Sequence, residues 1–252
     1  MRCESTTVRI PRIYLPVTLT PGTSVELDED SAHHVRSVLR LKKGSSLQLF
    51  NGRGSEYVGV LALLSKKSVI LEVGAERPCN TESPLAIHFG LAISRGERMD
   101  FAIQKSVELG VSTITPLFTE RSVVRLDEHR SLQKRAHWQR IATNASEQSG
   151  RAIVPEISKP DTFGSWLERC EGSKVFLDPA ATQSLKDLSA APSSVCLLSG
   201  PEGGFSPRER SLALDAGFQG VSLGPRILRT ETAALAGITL IQAIWGDIGL
   251  RI

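Results

Sequence analysis

Two stretches near the carboxyl end decide how the chain is read: Val195-Cys-Leu-Leu-Ser-Gly-Pro-Glu-Gly-Gly204 and Val221-Ser-Leu-Gly-Pro-Arg-Ile-Leu-Arg-Thr-Glu-Thr-Ala233. Each is a short apolar run broken by a Gly-Pro step. Such runs read as strands of a parallel sheet, buried on both faces so that alternation is lost, with the glycine-rich turn at the carboxyl end. Open α/β sheets take their ligands at that edge. Gly200, Gly203 and Gly204 leave little side-chain bulk, so a flat, nucleoside-like guest can lie against backbone amides and carbonyls. The dinucleotide fingerprint with glycines at one, three and six is absent, and no Gly-Lys-Ser/Thr follows to hold a triphosphate, which disfavours hydride and phosphoryl transfer. A single loop of this kind is usually a corner between a strand and a helix. Two of the same design, at Gly200 and Gly224, point to a site.

With Leu-Gly-Pro-Arg-Ile-Leu-Arg-Thr-Glu-Thr-Ala as it stands, the two loops resemble those of the bacterial small-subunit (16S) ribosomal RNA uridine-N3 methyltransferases, of the SPOUT class. The resemblance extends to Arg9-Ile-Pro-Arg-Ile-Tyr14, His33-His-Val-Arg-Ser-Val-Leu-Arg-Leu41, Gln104-Lys-Ser-Val-Glu-Leu-Gly-Val111, Thr119-Glu-Arg-Ser122 and Glu147-Gln-Ser-Gly-Arg151, so it spans Arg9 to about Gly249. It implies an α/β fold: a C-terminal parallel-sheet domain with a trefoil knot that holds S-adenosylmethionine, preceded by a small PUA-like, RNA-binding β-barrel. Knotted chains are rare exceptions to threading rules, and nothing in the residues alone would suggest one. The cofactor positions expected are Leu198, Gly200, Pro201, Glu202, Gly203, Leu223, Gly224, Ile227, Leu228 and Thr230. The implied partners are 16S rRNA, alone or within the assembled small subunit, and a second copy of the chain.

The chain as a whole is compatible with this. Its 252 residues suffice for one large domain or two modest ones, and 40% hydrophobic content supports a core. A formal charge of +3 permits an RNA partner without demanding one. Cys3, Cys79, Cys170 and Cys196 lie far apart with no Cys-x-x-Cys, so neither a zinc site nor a disulfide framework is indicated and a reducing cytoplasm is expected. No metal is called for. Residues 1–8 have no signal-peptide core and read as a disordered leader or a start site assigned too early. The longest apolar stretch, Ala233 to Trp245, is too short for a bilayer.

Taken in order, residues 9–77 form short β-rich runs at Arg12–Leu15, Ser24–Leu27, Ser46–Phe50, Tyr57–Leu63 and Ser68–Val73, with a helix near Ser31–Val38 and a hairpin signal at Asn51-Gly-Arg-Gly54. A small β-barrel packs these naturally. The aperiodic segment Gly74–Pro84 marks the boundary, and residues 84–252 form the second domain. That domain opens with the strand Leu85–Ile93, a helix Glu97–Leu109 closed by Gly110, and the strand Val111–Leu117. A polar helix Ser131–Glu147 follows, then the helix Phe163–Cys170, the strand Lys174–Leu177 ending at Asp178-Pro179, and a helix Pro207–Ala216 with Ser206 as N-cap. In the last helix, Ala233 to Trp245, apolar residues cover almost every face, so it needs deep burial or a partner chain.

Candidate RNA contacts are Arg9, Arg12, Arg36, Arg40 and Lys42 in the first domain, with Arg121 and Arg151 near the second. A solvated charged face explains the same clusters equally well. Arg229 and Glu231 flank the ligand loop and are the catalytic candidates, because a uracil imide nitrogen becomes nucleophilic as its proton leaves. A structural Arg229–Glu231 pair is the plainer alternative. Three other readings stay open: a non-catalytic RNA-binding protein, which leaves both Gly-Pro loops without a role; a nucleotide-dependent enzyme of another type, which lacks its fingerprint; and a knotted methyltransferase acting on another RNA nucleotide.

Overall fold

The computed structural model describes residues 10–122, 127–188 and 192–249, and the chain divides into two compact units. The first comprises residues up to Glu82 together with Ser146–Val154; the second comprises Ser83–Ala145 and Pro155 onward. The second domain is thus not continuous in sequence: nine residues past its first third are grouped with the first unit. The leader and Arg9 lie outside the described residues.

The first unit is built on a five-stranded sheet. Its strands are β1 (Arg12–Tyr14), β2 (Ser24–Glu26), β3 (Ser46–Phe50), β4 (Ser55–Leu64) and β5 (Val69–Pro78), in the order β1-β3-β4-β5-β2. All pairings are antiparallel except β1 with β3. Alternation places Val69, Leu71 and Val73 of β5 on the inner face, where they meet Leu47, Leu49 and Leu61. The short helix α1 (Glu29–His33) is capped by Asp28, which accepts from Ser31 N at 2.7 Å, and runs on into one wide turn of π-helix, His34–Val38.

Arg12 is the polar centre of this unit. Its guanidinium donates to the carbonyls of Ser146 (2.9 Å), Glu147 (3.0 Å) and Arg151 (3.1 Å), pairs with Glu56, and lies 4.5 Å from the centre of the Phe50 ring. Glu147 sits beside it and accepts from Tyr14 N at 2.6 Å. Burial pushes the Glu147 carboxyl above its ordinary 4.5, against the Tyr14 hydrogen bond and the nearby charges of His34 and Arg12. The folded state therefore holds this proton more tightly than the unfolded chain. The associated stability is fully present below about pH 4.5 and is lost as pH rises through the raised value. Glu147→Gln keeps an acceptor for Tyr14 and removes the titration. Its unfolding free energy, relative to the parent, is expected to climb as pH rises above about 4.5 in denaturant titrations, and a difference independent of pH would contradict this.

The second unit is a doubly wound sheet. Its strands are β6 (Ala86–Ala92), β7 (Thr113–Phe118), β8 (Glu156–Ile157), β9 (Asp161–Thr162), β10 (Ser173–Leu177), β11 (Ser194–Ser199) and β12 (Gln219–Val221). The order is β12-β10-β11-β6-β7-β8 with β9 also on β7, and every pairing is parallel. The helices are α2 (Glu97–Glu108), α3 (Glu128–Ser149, its last four residues grouped with the first unit), α4 (Phe163–Arg169), α5 (Pro207–Asp215) and α6 (Thr230–Trp245).

The central strands are apolar on both sides because each side has its own core. Ile87, Phe89, Leu91, Val195 and Leu197 join the cluster that includes Ile103 of α2, Trp138 of α3 and Ile238 of α6. Leu198, Cys196 and Phe176 face the other way, into a cluster with Trp166 of α4 and Ala213 of α5. Gly90 admits that tryptophan: a Cβ there would stand 2.6 Å from Trp166 Cη2.

The last helix buries one face, through Ala234, Gly237, Ile238, Ile241 and Gln242. Gln242 is satisfied at both ends, accepting from Ser83 Oγ (2.8 Å) and donating to Leu109 O (3.0 Å). Leu240 and Ile244 remain exposed. Among the described residues no helix is long and apolar enough to cross a membrane, and no group of three or more His, Cys, Asp or Glu side chains is placed to hold a metal ion.

Candidate cofactor site

Neighbouring strands β12, β10 and β11 end side by side, and the chain leaving each of them builds one wall of a cavity of about 670 Å³. From β10 come Asp178, Pro179 and Ala180; from β11, Ser199 to Phe205; from β12, Leu223, Gly224 and Arg226 to Thr230. Arg98, near the start of α2 after β6, closes the remaining side. This is the carboxyl edge of the sheet, on both flanks of which the connections run in opposite directions, the position at which such sheets bind ligands.

Local chemistry holds the β11 loop in shape. Ser206 and Glu209 form a reciprocal capping box at the start of α5, with Pro207 in its first turn. Glu209 spends its other interaction on Glu120 N, at 2.8 Å. Gly204 N donates to Pro201 O at 2.8 Å and closes the turn. Arg121 donates to Gly203 O (2.8 Å), and Arg98 pairs with Glu202 (3.3 Å). In the β12 loop Gly224 has φ +121°, a backbone conformation that side-chain-bearing residues rarely adopt. Across the cavity, buried Asp178 pairs with Arg210 of α5 at 2.5 Å and accepts from Ala180 N at 3.0 Å.

The lining suits a flat, partly charged guest. Leu223, Leu228 and Ile227, the last 87% exposed, offer apolar contact, while Asp178 and Glu202 place carboxylates beside backbone amides. Arg226 and Arg229 stand at the rim with no ion pair among the described residues.

A family model described as an RNA methyltransferase domain matches residues 81–242, and one described as an RNA methyltransferase PUA domain matches residues 27–74. The chain belongs to the RNA methyltransferase family. Ribosomal RNA small subunit methyltransferase E of Buchnera aphidicola (subsp. Schizaphis graminum) is 38% identical over 242 residues, covering 95% of this chain and 98% of the relative. That of Bacillus subtilis is 31% identical over 224 residues, 84% and 87% of the two chains. A methyltransferase of Legionella pneumophila, solved in complex with S-adenosylmethionine, is 42% identical with a TM-score of 0.93 over 96% of this chain and 100% of its own. Ribosomal RNA small subunit methyltransferase E of Neisseria gonorrhoeae, also bound to S-adenosylmethionine, is 38% identical with a TM-score of 0.89, covering 95% and 99%.

In this RNA methyltransferase, nine of the ten residues expected at the cofactor line the cavity: Gly200, Pro201, Glu202, Gly203, Leu223, Gly224, Ile227, Leu228 and Thr230. Leu198 does not. It lies within β11, paired with Gly90 and Phe176, and its fully buried side chain packs into the core around Trp166. Of the catalytic candidates Arg229 reaches the cavity, whereas Glu231, in the first turn of α6, faces a separate groove with Glu97, Asp100 and Gln104. The two form no ion pair, and one Glu231 carboxylate oxygen is buried without a hydrogen-bond partner among the described residues.

The cations need more correction. Arg151 is buried and the Arg12 side chain nearly so: Arg12 is consumed by three carbonyls and Glu56, and Arg151 by Glu82 at 2.6 Å. Neither is free to meet a phosphate. Arg36 donates to Ser65 O (2.8 Å) and Lys66 O (3.0 Å), and Arg121 is held on Gly203. Arg40 and Lys42 stay exposed, and Arg40 has φ +50°, alone among described non-glycine residues in the left-handed region. Arg9 lies outside the described residues. Asp178, Arg210 and Arg98 went unrecognised in the sequence. The available signal was the Asp178-Pro179 step, which ends β10 as Gly200-Pro201 follows β11.

Proposed function

We propose that this chain methylates N3 of a uridine in 16S ribosomal RNA, using S-adenosylmethionine held in the cavity at the ends of β10, β11 and β12. The observation that carries the reading is the convergence of three strand-end loops on one cavity whose β11 loop is glycine-rich. Leu223, Ile227 and Leu228 would bound the flat purine, the backbone around Gly200 and Gly224 its polar edges, and Glu202 or Asp178 the positive end of the cofactor. When bound, the cofactor supplies an electrophilic methyl group. The trefoil knot implied by the resemblance belongs to this reading, with the crossings in the loops after β11 and β12.

The chain's own task is to place a nucleophile in line and ease loss of its proton. Arg229, at the rim and without an acidic partner among the described residues, would favour the uracil anion through its charge, a role that needs no proton transfer to the guanidinium. Glu231 faces away from the cavity and is better read as a partner-facing or structural group. Mapping N3-methyluridine in small-subunit rRNA with and without the protein tests the function, and unchanged methylation would refute it. Supplying naked rRNA and intact subunits separately would tell which is the substrate.

On the first unit, RNA would approach the exposed Arg40 and Lys42. Removing both charges should weaken binding to rRNA fragments and reduce the log-log salt slope by about 0.7–0.9 per lost contact, while cofactor affinity stays the same. An unchanged slope would make this a solvated surface. A homodimer through α6 belongs to the same proposal, since Leu240 and Ile244 are exposed on an otherwise apolar helix. Ile244→Glu is expected to give monomers in sedimentation and to lower methylation with them. A parent protein that is monomeric while active would exclude the dimer.

A further inference from the structure

Within the first unit, several chain reversals lie at one end of the sheet. β3 begins there at Ser46, opposite Val60 of β4, and β4 runs past that point to Leu64 before the chain turns into β5. β2 ends there too, with Glu26 opposite Ile70 and Leu27 N donating to Val69 O at 2.9 Å, so α1 and the π-helical turn set out from the same end. Both tight turns are pinned. In the turn 42–45, the Ser45 hydroxyl accepts from Lys42 N (3.0 Å) and Gly44 N donates to Leu61 O (2.8 Å). In the turn 65–68, the Ser65 hydroxyl donates to Ser68 O (3.0 Å) and accepts from Ser68 N (2.9 Å) and Lys67 N (3.2 Å). Lys66 and Lys67 are its exposed middle residues.

The segments meeting at this end carry Arg36, Arg40, Lys42, Lys43, Lys66 and Lys67, against Asp28, Glu29 and Asp30 at the start of α1. Arg40 and the four lysines form no ion pair among the described residues. Arg36 is placed differently. Its Nη1 donates to Ser65 O (2.8 Å) and Lys66 O (3.0 Å), so the π-helical turn and the β4–β5 turn are joined by a cation.

Building on the RNA approach at Arg40 and Lys42, we propose that this end of the sheet is a two-part phosphate-binding face: Lys66 and Lys67 contact the RNA backbone alongside Arg40 and Lys42, and Arg36 is a positioning residue that clasps the lysine-bearing turn in place. An ammonium on a mobile turn loses conformational freedom when it meets a phosphate, whereas one on a turn already fixed loses less, so the clasp raises affinity without touching the RNA. Arginine suits the task because its planar fork offers two donors from one nitrogen to neighbouring carbonyls and keeps its charge.

The test is titration of a labelled small-subunit rRNA fragment with the full chain, over a series of salt concentrations. Lys66→Gln/Lys67→Gln, a change of two exposed side chains, should flatten the log-log slope by about 1.4–1.8, the value for two lost contacts. Arg36→Ala should weaken binding at least about threefold in the parent and have no further effect in the Lys66→Gln/Lys67→Gln chain, the non-additivity of residues acting as one unit. Amide exchange at Ser65 and Ser68 should quicken in Arg36→Ala, which reads the clasp directly. An equal Arg36→Ala effect in both backgrounds would make Arg36 a phosphate contact in its own right and overturn the positioning role. A parent-like slope in Lys66→Gln/Lys67→Gln would overturn the two-part face. If Arg40→Gln/Lys42→Gln still flattens the slope, only the clasp and its lysines fail; if it too leaves the slope unchanged, the RNA approach at Arg40 and Lys42 fails with them.

Discussion

Arg12→Ala is expected to destabilise the first unit by about 3–5 kcal/mol, the range for removing one member of a buried ion pair. The side chain is only 9% exposed and Glu56 only 8%, so the loss leaves a carboxylate buried with little but Gln48 to answer it. It also strips donors from the carbonyls of Ser146, Glu147 and Arg151 and uncovers the face of Phe50. Against a total stability of about 5–15 kcal/mol for a typical domain, this is a large fraction. Arg12→Lys retains the charge but replaces a planar five-donor fork by a point cation, so it should recover only part of the loss. Amide exchange in β1 and β3 reads the effect where it arises. Protection unchanged from the parent would show that the guanidinium contacts carry no net stability, and would return Arg12 to the group of possible RNA contacts.

Gly224→Val is expected to reduce S-adenosylmethionine affinity by at least about tenfold, corresponding to 1.4 kcal/mol of the roughly 1–3 kcal/mol of strain that a φ of this kind imposes. At φ +121° a β-branched residue must pull the loop toward another conformation, and Ser222, whose hydroxyl donates to Gly224 O (3.2 Å) and accepts from Gly224 N (3.3 Å), would move with it. A Cβ at this position has open space around it, so the cost falls on the loop rather than on the core and the melting midpoint should change little. Gly200→Val tests the facing wall by a different route, because its Cβ would stand 3.1 Å from the Phe205 ring and displace it. Calorimetric titration separates the cases. Parent-like affinity in both variants would remove the cofactor from these loops.

Much of the second unit was legible because its signals are local. The runs at Leu85–Ile93 and from Val195 had to be strands covered on both faces, and they appear as β6 and β11. Ser206 and Pro207 announced the start of α5, and Gly110, at φ +87°, closes α2. The hairpin at Asn51–Gly54 joins β3 to β4 as its glycines require. Elsewhere the pattern was ambiguous. The last helix reads as apolar all round, yet one face docks on its own sheet and α2, leaving the large apolar side chains of Leu240 and Ile244 outside. The nine residues from Ser146 to Val154 belong with the first unit through contacts that no composition shift marks.

What the sequence alone determined is where the strands, helices and glycine-bearing turns lie, and that two Gly-Pro loops of one design follow two of the strands. Those features depend on side-chain periodicity and backbone freedom within a few residues, so they can be read in the order in which they are written. What only the tertiary structure decided is the role of each charge and thiol. Arg12 is spent on carbonyls as many as 139 residues away, Arg151 on Glu82, and Asp178 on Arg210, while Arg40 and Arg229 have no such partners among the described residues. Cys170 and Cys196 share one buried cluster although 25 residues separate them. The physical reason is that a cation or a thiol carries the same chemistry wherever it stands in the chain. Whether it braces the fold, faces a ligand or reacts depends on the acceptors, burial and cavities that distant segments bring to it, and those exist only once the chain has folded.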